Sequence, residues 1–273
     1  MFSFKKYIEE RGALVMGILN VTPDSFSDGG EAFSVDDVIE KVNELINDGA
    51  DIIDVGACST APNNQIVSEE EEISRLESFL SSVIANSTVP VSVDTFRSKV
   101  ARYALGKGVS IINDESGVFN EDMADAVKEY GVGWIFMHTG GGDSRSVIAY
   151  DDVIGDVLSF FADMKRRAVA FGISEDQLCF DCGIGFGKTR DDDLSLLADC
   201  GRLSEYSPLL IGVSRKRIIG YMTGIENPKE RDFASAVASA IAVSDGAGIV
   251  RVHNVAIMRQ ALDIVNRVGK GVL

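Results

Sequence analysis

Four cysteines are too few to staple a chain of 273 residues, so the fold must rest on a packed core and the thiols are expected to be reduced. Two of them spell C-x-x-C in LCFDCG, residues 178 to 183. That stretch reads as a strand, where positions three apart face opposite ways and cannot share one metal. Long apolar runs are also missing: no stretch of about 18 such residues occurs, which excludes a spanning helix. The opening MFSFKKYIEERG has a basic pair but no apolar segment after it, so no secretion signal is expected and the chain is placed in the cytoplasm. Positive charge is scarce too, 26 Lys and Arg against 42 Asp and Glu for a formal −16. Nucleic acid and anionic membrane are therefore excluded as partners, since both would be repelled at long range. An anionic ligand would need a local basic cluster.

What the chain does have is apolar content, 45% of residues, enough for a substantial core. Short apolar runs recur at intervals of roughly 20 to 45 residues, a spacing suited to βα units: ALVMGILN, DIIDVG, PVSVDT, VSIIND, WIFMH, LCFDCG, LLIGVS and GIVRVH. Segments of helical periodicity separate them. In the first, Val35, Val38, Ile39, Val42, Leu45 and Ile46 form one stripe, with Ser34 and Asp37 spaced as a capping box and Gly49 at the end. In the second, Ser68 precedes four glutamates that suit a helix N-terminus. A single long helix is expected over 191–206. With no linker or low-complexity tract, eight strands alternating with eight helices predict one (β/α)8 (TIM) barrel domain over 1–273, with an open doubly wound sheet as the alternative.

The strands turn polar at their C-terminal ends: Asn20, Asp54, Asp94, Asn113 with Asp114, His138, Asp181, Ser214, and Arg251 with His253. Any one of these is as well explained as a helix cap, but together they point to the barrel rim where active sites gather. After the first strand comes VTPDSFSDGG, a loop longer than most βα connections. Phe26 stands out in it as a large aromatic in polar company. CGIGFGKT (182–189) nearly spells a phosphate loop, but Cys182 stands where glycine is required. It reads instead as a glycine-rich turn projecting Phe186 and Lys188 toward the rim. GVSRKRIIG (212–220) holds the densest basic cluster, Arg215 to Arg217. It lies where barrels commonly bind phosphate, with Arg251 and His253 expected beside it.

Taken in order, MGILNVTPDSFSDGG, SVDT, IND, MH, D-x-GIGFGK, SRK and RVH resemble the dihydropteroate synthase family, from Met16 to about Asn254. The resemblance implies a pterin-binding (β/α)8 barrel joining 6-hydroxymethyl-7,8-dihydropterin pyrophosphate to p-aminobenzoate, with Mg2+ as cofactor, a homodimeric assembly and sensitivity to sulfonamides. It further implies that Asp94, Asn113, Asp181, Met137 and Lys216 bind the pterin. Phe26, Thr60, Pro62, Phe186 and Ser214 would hold the aminobenzoate, and Asn20, Arg251 and His253 the pyrophosphate, with Asn20 on the metal. Lys216, Asp28, Arg251 and His253 are the implied catalytic set.

Three positions depart from the family pattern. Ala61 stands where an arginine is usual, Cys182 replaces the proline of D-P-G, and Asn254 replaces an aspartate after RVH, which is expected to remove a negative charge near the anion site. The Ala61 change keeps open a second reading, a paralogue that binds pterin without catalysis. A related pterin-binding methyltransferase has no use for DSFSDGG or SRK.

Overall fold

Strands in a parallel sheet covered on both faces must be apolar throughout, and the eight runs meet that requirement. In the computed structural model, which describes residues 1–21, 34–57, 67–140 and 146–269, they pair side by side in chain order and close into a barrel. The strands are β1 (Leu14–Asn20), β2 (Ile52–Gly56), β3 (Val91–Asp94), β4 (Ile111–Asp114), β5 (Gly133–Met137), β6 (Leu178–Asp181), β7 (Leu209–Ile211) and β8 (Ile249–Val252). Closure is the parallel pairing of β1 with β8, Met16 opposite Arg251. The helices are α1 (Phe4–Arg11), α2 (Val35–Asn47), α3 (Glu69–Asn86), α4 (Ser98–Lys107), α5 (Glu121–Tyr130), α6 (Val153–Phe171), α7 (Arg190–Ala198), α8 (Cys200–Ser204), α9 (Arg217–Thr223), α10 (Asp232–Ser244) and α11 (Val255–Gly269).

Strand alternation sorts the core into two layers. Leu14, Met16, Ile52, Ile111, Ile135, Cys179, Leu210 and Ile249 fill the barrel interior, while a larger cluster, including Cys182, lies between strands and helices. Cys179 and Cys182 thus sit in different layers, as their spacing requires. The capping box of α2 forms, with Asp37 N–H donating to Ser34 Oγ and Ser34 N–H to an Asp37 carboxylate oxygen. Ser68 caps α3 through the Glu71 N–H. Val35 falls outside the expected stripe and is exposed, because the buried face of α2 begins at Val38.

Three helical features differ from the sequence reading. The expected helix over 191–206 breaks at Asp199 into α7 and α8. A short α9 follows the basic cluster, burying Ile218 and Ile219. And α1, in the segment read only for targeting signals, plugs the bottom of the barrel. Ser3 caps it, and Phe4 joins the interior cluster with Phe2, Tyr7 and Ile8 packed beside it. The plug needs glycine opposite it: a Cβ on Gly133 would lie 2.8 Å from the Phe4 ring, and one on Gly248 2.8 Å from Ile8. Phe4→Leu should lower unfolding stability by about 1–2 kcal/mol, read from denaturant melts, without moving substrate KM values, since the plug is at the end remote from the rim.

Candidate functional site

Period-two alternation decides which polar strand ends share a space. Asn20, Asp54, Asp94, Asn113, Met137, Asp181 and Arg251 have the same parity as the interior residues of their strands, and His253 and Ser214 continue it beyond β8 and β7. Asp114 and His138 have the opposite parity and leave the rim set. Asp114 accepts from Trp134 Nε1 at 3.2 Å, and His138 Nε2 meets Asp156 of α6 at 2.9 Å. The first ties β4 to β5 on the outer side of the barrel, and the second ties the end of β5 to α6.

Arg251 crosses the mouth. Its Nε donates to Asp54 at 2.6 Å and one terminal nitrogen to Asp94 at 2.8 Å, linking β8 to β2 and β3. Asn113 Nδ2 donates to the same Asp54 oxygen at 3.2 Å, while Asp54 Oδ1 is buried without a donor, an open acceptor on the floor. Burial and the Glu115 charge push the Asp94 carboxyl upward, with Arg251 pulling it back. Asp54 belongs to this cluster through Arg251 and Asn113, and Glu115 bears on it through its charge; the sequence reading gave a role to neither. Glu115 shares the parity of Asn113, and its charge bears on Asp94, Lys216 and Arg251 alike.

Across the mouth, Asp181 and Lys216 form the second charged pole. Burial raises Asp181, while the Lys216 ammonium and the Gly183 N–H, 2.7 Å from Oδ1, hold it back. Burial likewise lowers Lys216 and Asp181 supports its charge. Lys216 Nζ donates to the Ile184 carbonyl at 2.7 Å and lies 4.6 Å from the centre of the Phe186 ring. Met137 is buried and pairs with Asp181 in the β5–β6 register.

Of the basic cluster, only Lys216 turns into the mouth. Arg215 is bound in a two-point fork by Asp232, at 2.6 and 2.8 Å, and Arg217 is exposed at the start of α9. The expected anion patch therefore reduces to Lys216, Arg251 and His253. His253 is neutral: burial and the neighbouring Arg215 and Arg251 push its pKa down to about 3. Ser214 Oγ accepts the His253 backbone N–H at 3.1 Å and lies 2.9 Å from Nδ1. We assign the Nε2–H tautomer, because the one Ser214 proton then has Nδ1 as acceptor. That leaves the His253 Nε2–H as a neutral hydrogen-bond donor. Ser214 thus orients His253 through both contacts. Lys188, expected near the rim, is buried beneath the loop instead. Phe26, Asp28, Thr60 and Pro62, and Ala61 with them, lie outside the described residues.

Residues 16–253 match the family described as pterin binding enzyme. The chain belongs to the pterin-binding enzyme family. A dihydropteroate synthase of Streptococcus pyogenes is 37% identical, covering 96% of this chain and 98% of that protein. Among solved structures, Xanthomonas albilineans dihydropteroate synthase with 4-aminobenzoic acid superposes with a TM-score of 0.89 at 39% identity, over 95% of this chain and 94% of the other. The same enzyme with 7,8-dihydropteroate gives 0.86 at 37%, over 95% of each. Within the pterin-binding enzymes this chain is a transferase of the dihydropteroate synthase type, and none of these matches favours the reading without catalysis.

One departure from the family pattern is tied into the Arg215–Asp232 pair. Asn254 Nδ2 donates to Asp232 at 3.2 Å and its Oδ1 accepts the Ile257 N–H in the first turn of α11. Asp232, held ionised below the usual carboxylate range chiefly by its hydrogen bond to Arg215, is neutralised by that pair. As for a metal, no cage of three acidic, histidine or cysteine side chains exists among the described residues. Asn20 offers a single neutral oxygen beside Gly56, whose added Cβ would lie 3.1 Å from it. That donor set fits Mg2+, which takes most of its ligands from phosphate and water.

Proposed function

We propose that the site condenses 6-hydroxymethyl-7,8-dihydropterin pyrophosphate with p-aminobenzoate, each described residue acting as its geometry allows. The observation that carries this reading is the gathering of Asp54, Asp94, Asn113, Asp181, Lys216 and Arg251 on one inner face of the barrel mouth. The pterin's amide edge and exocyclic amine match the Asp94, Asn113 and Asp181 groups, with Asp54 Oδ1 as a further acceptor. Arg251 and neutral His253 hold the departing pyrophosphate. Asn20 offers its side-chain oxygen to Mg2+, which when bound supplies charge neutralisation at that pyrophosphate. The bond from the pterin methylene to oxygen breaks with its electron pair leaving on pyrophosphate. The aminobenzoate nitrogen then forms the new C–N bond and releases its proton to solvent. Its amine is nucleophilic as it stands, so the site needs charge stabilisation rather than a strong base. Phe186 supplies an apolar wall for the aminobenzoate ring, and sulfonamides of the same shape should compete there.

The same proposal covers assembly and place of work. On α10, Phe233, Val237 and Ile241 recur every fourth residue and are 74%, 43% and 60% exposed, with Ile264 and Val268 exposed on the adjoining α11. Such a stripe suits a second copy of the chain. Ile241→Glu should shift the sedimentation of the dimer to that of a monomer. The cytoplasm is the proposed compartment, in keeping with the free, buried Cys179, Cys182 and Cys200. No helix among the described residues is long and apolar enough to cross a membrane.

The deciding assay incubates the protein with the pterin pyrophosphate, p-aminobenzoate and Mg2+ and follows dihydropteroate and pyrophosphate, which should appear one for one. Pterin binding without product would overturn the synthase reading in favour of the paralogue.

A further inference from the structure

Lys188 is the most unusual charged group outside the catalytic set. It sits two residues past Phe186 in the β6–α7 loop, is 4% exposed, and has no carboxylate within salt-bridge reach among the described ion pairs. Its ammonium donates instead to three carbonyls: His138 at 3.0 Å, Gly183 at 3.1 Å and Phe186 at 3.0 Å. All three protons are used, on acceptors from the end of β5 and from both sides of the loop's turn.

The loop is shaped to bring those carbonyls inward. Gly183, Gly185 and Gly187 have φ of 68°, 85° and 62°, values that side chains other than glycine rarely adopt. A Cβ on Gly183 would lie 1.9 Å from the His138 carbonyl oxygen, so the strand end and the loop touch only because glycine is there. The remaining turn is pinned by Gly185 N–H donating to buried Asp193 at 2.6 Å. What the loop presents outward is Phe186 and the Ile184 carbonyl, the two partners of Lys216.

We propose that Lys188 is a positioning residue for aminobenzoate: its ammonium is the template on which the β6–α7 loop folds, and through Phe186 and Ile184 it sets the slot wall and the orientation of Lys216. The proposal rests on the synthase reading for its kinetic part and on geometry alone for its structural part. Without the ammonium, the His138 and Phe186 carbonyls lose the Lys188 donor, the Gly183 carbonyl keeps only the Phe186 N–H at 3.0 Å, and the loop loses its side-chain tie to the end of β5.

The template is also sensitive to pH. Burial pushes the Lys188 pKa down to about 8. The groups facing it are Cys182 and Asp181 at the end of β6 and Asp193 of α7, which raise it, Lys216, which lowers it, and His138 of β5, itself held down partly by Lys188. Above that pKa the neutral amine has two protons for three carbonyls, and its lone pair faces the third.

Two measurements test this. In kinetics from pH 6.5 to 9.5, wild-type KM for aminobenzoate should rise as pH passes about 8, and by more than KM for the pterin pyrophosphate, which feels the loop only through Lys216. Lys188→Met should raise the aminobenzoate KM about tenfold at all pH values and lack that limb. In hydrogen exchange, amides of 182–189 in the wild type, corrected for intrinsic rates, should lose protection over the same pH range while the β-strands keep theirs. This arm needs neither a variant nor turnover. If exchange behaves so and no dihydropteroate forms, the positioning role stands and the synthase reading falls. If loop protection is flat across pH 8, or if Lys188→Met leaves the aminobenzoate KM unchanged, the proposal is wrong.

Discussion

Arg251→Met is expected to lower kcat/KM by about a hundredfold to a thousandfold, the usual consequence of removing a preorganised charge from a developing anion. The substitution has a second effect, because the guanidinium also neutralises Asp54 and Asp94, both withdrawn from water. Breaking a buried pair by removing one partner costs about 3–5 kcal/mol, so the variant should also melt earlier. The two losses respond differently to rescue. Asp94, already raised by burial, rises further without Arg251, and the folded protein then binds a proton that the unfolded chain does not. Stability lost at neutral pH should accordingly return as pH falls below the raised value. Adding Asp54→Asn to Arg251→Met removes one stranded charge and should restore part of the melting temperature at pH 7. Activity should not follow, since no positive group has been returned to the pyrophosphate. Were the double variant to regain kcat/KM along with stability, Arg251 would be a scaffold residue and the anion clamp would have to be sought elsewhere.

The barrel was legible in the sequence because its signal is periodic. Each strand's apolar run and polar end stand in the primary structure, and parity alone, followed strictly, separates Asp94 and Asp181 from Asp114 and His138. The readings that failed concern groups whose partners are distant or aperiodic. Arg215 looks like part of an anion patch until Asp232, 17 residues on, is folded against it. Lys188 looks like a rim cation because a glycine-rich turn has no period to say where a side chain points, and three positive φ angles carry it inward. The missed α1 is a different case. Phe4, Tyr7 and Ile8 are spaced as one helical face after a Ser3 cap, a pattern visible in the sequence but read only for targeting. Asp54 was visible as a polar strand end, yet its role as the joint acceptor of Arg251 and Asn113 depends on strands meeting across the closed barrel.

Lys216→Met tests whether the two poles of the mouth work as a unit. The ammonium faces Asp181 on the pterin side and Phe186 on the aminobenzoate side, so its removal should raise both KM values. Loss of a charge-assisted contact of about 1.5–3 kcal/mol corresponds to about tenfold to a hundredfold in kcat/KM. Lys216→Arg should not rescue it, because a planar fork cannot take the single-point position between the Ile184 carbonyl and the Phe186 ring. The pH profile gives an independent sign. Asp181 is raised by burial and held back chiefly by Lys216. Without that charge its carboxyl rises further, and the acid limb of kcat/KM should move to higher pH, since pterin recognition needs the ionised form. Asp181→Asn has no such carboxyl and should show a low, flat profile over the same limb. An acid limb that stays in place in Lys216→Met would mean that another cation holds Asp181 ionised, and the pairing of these two residues as one pole would be wrong.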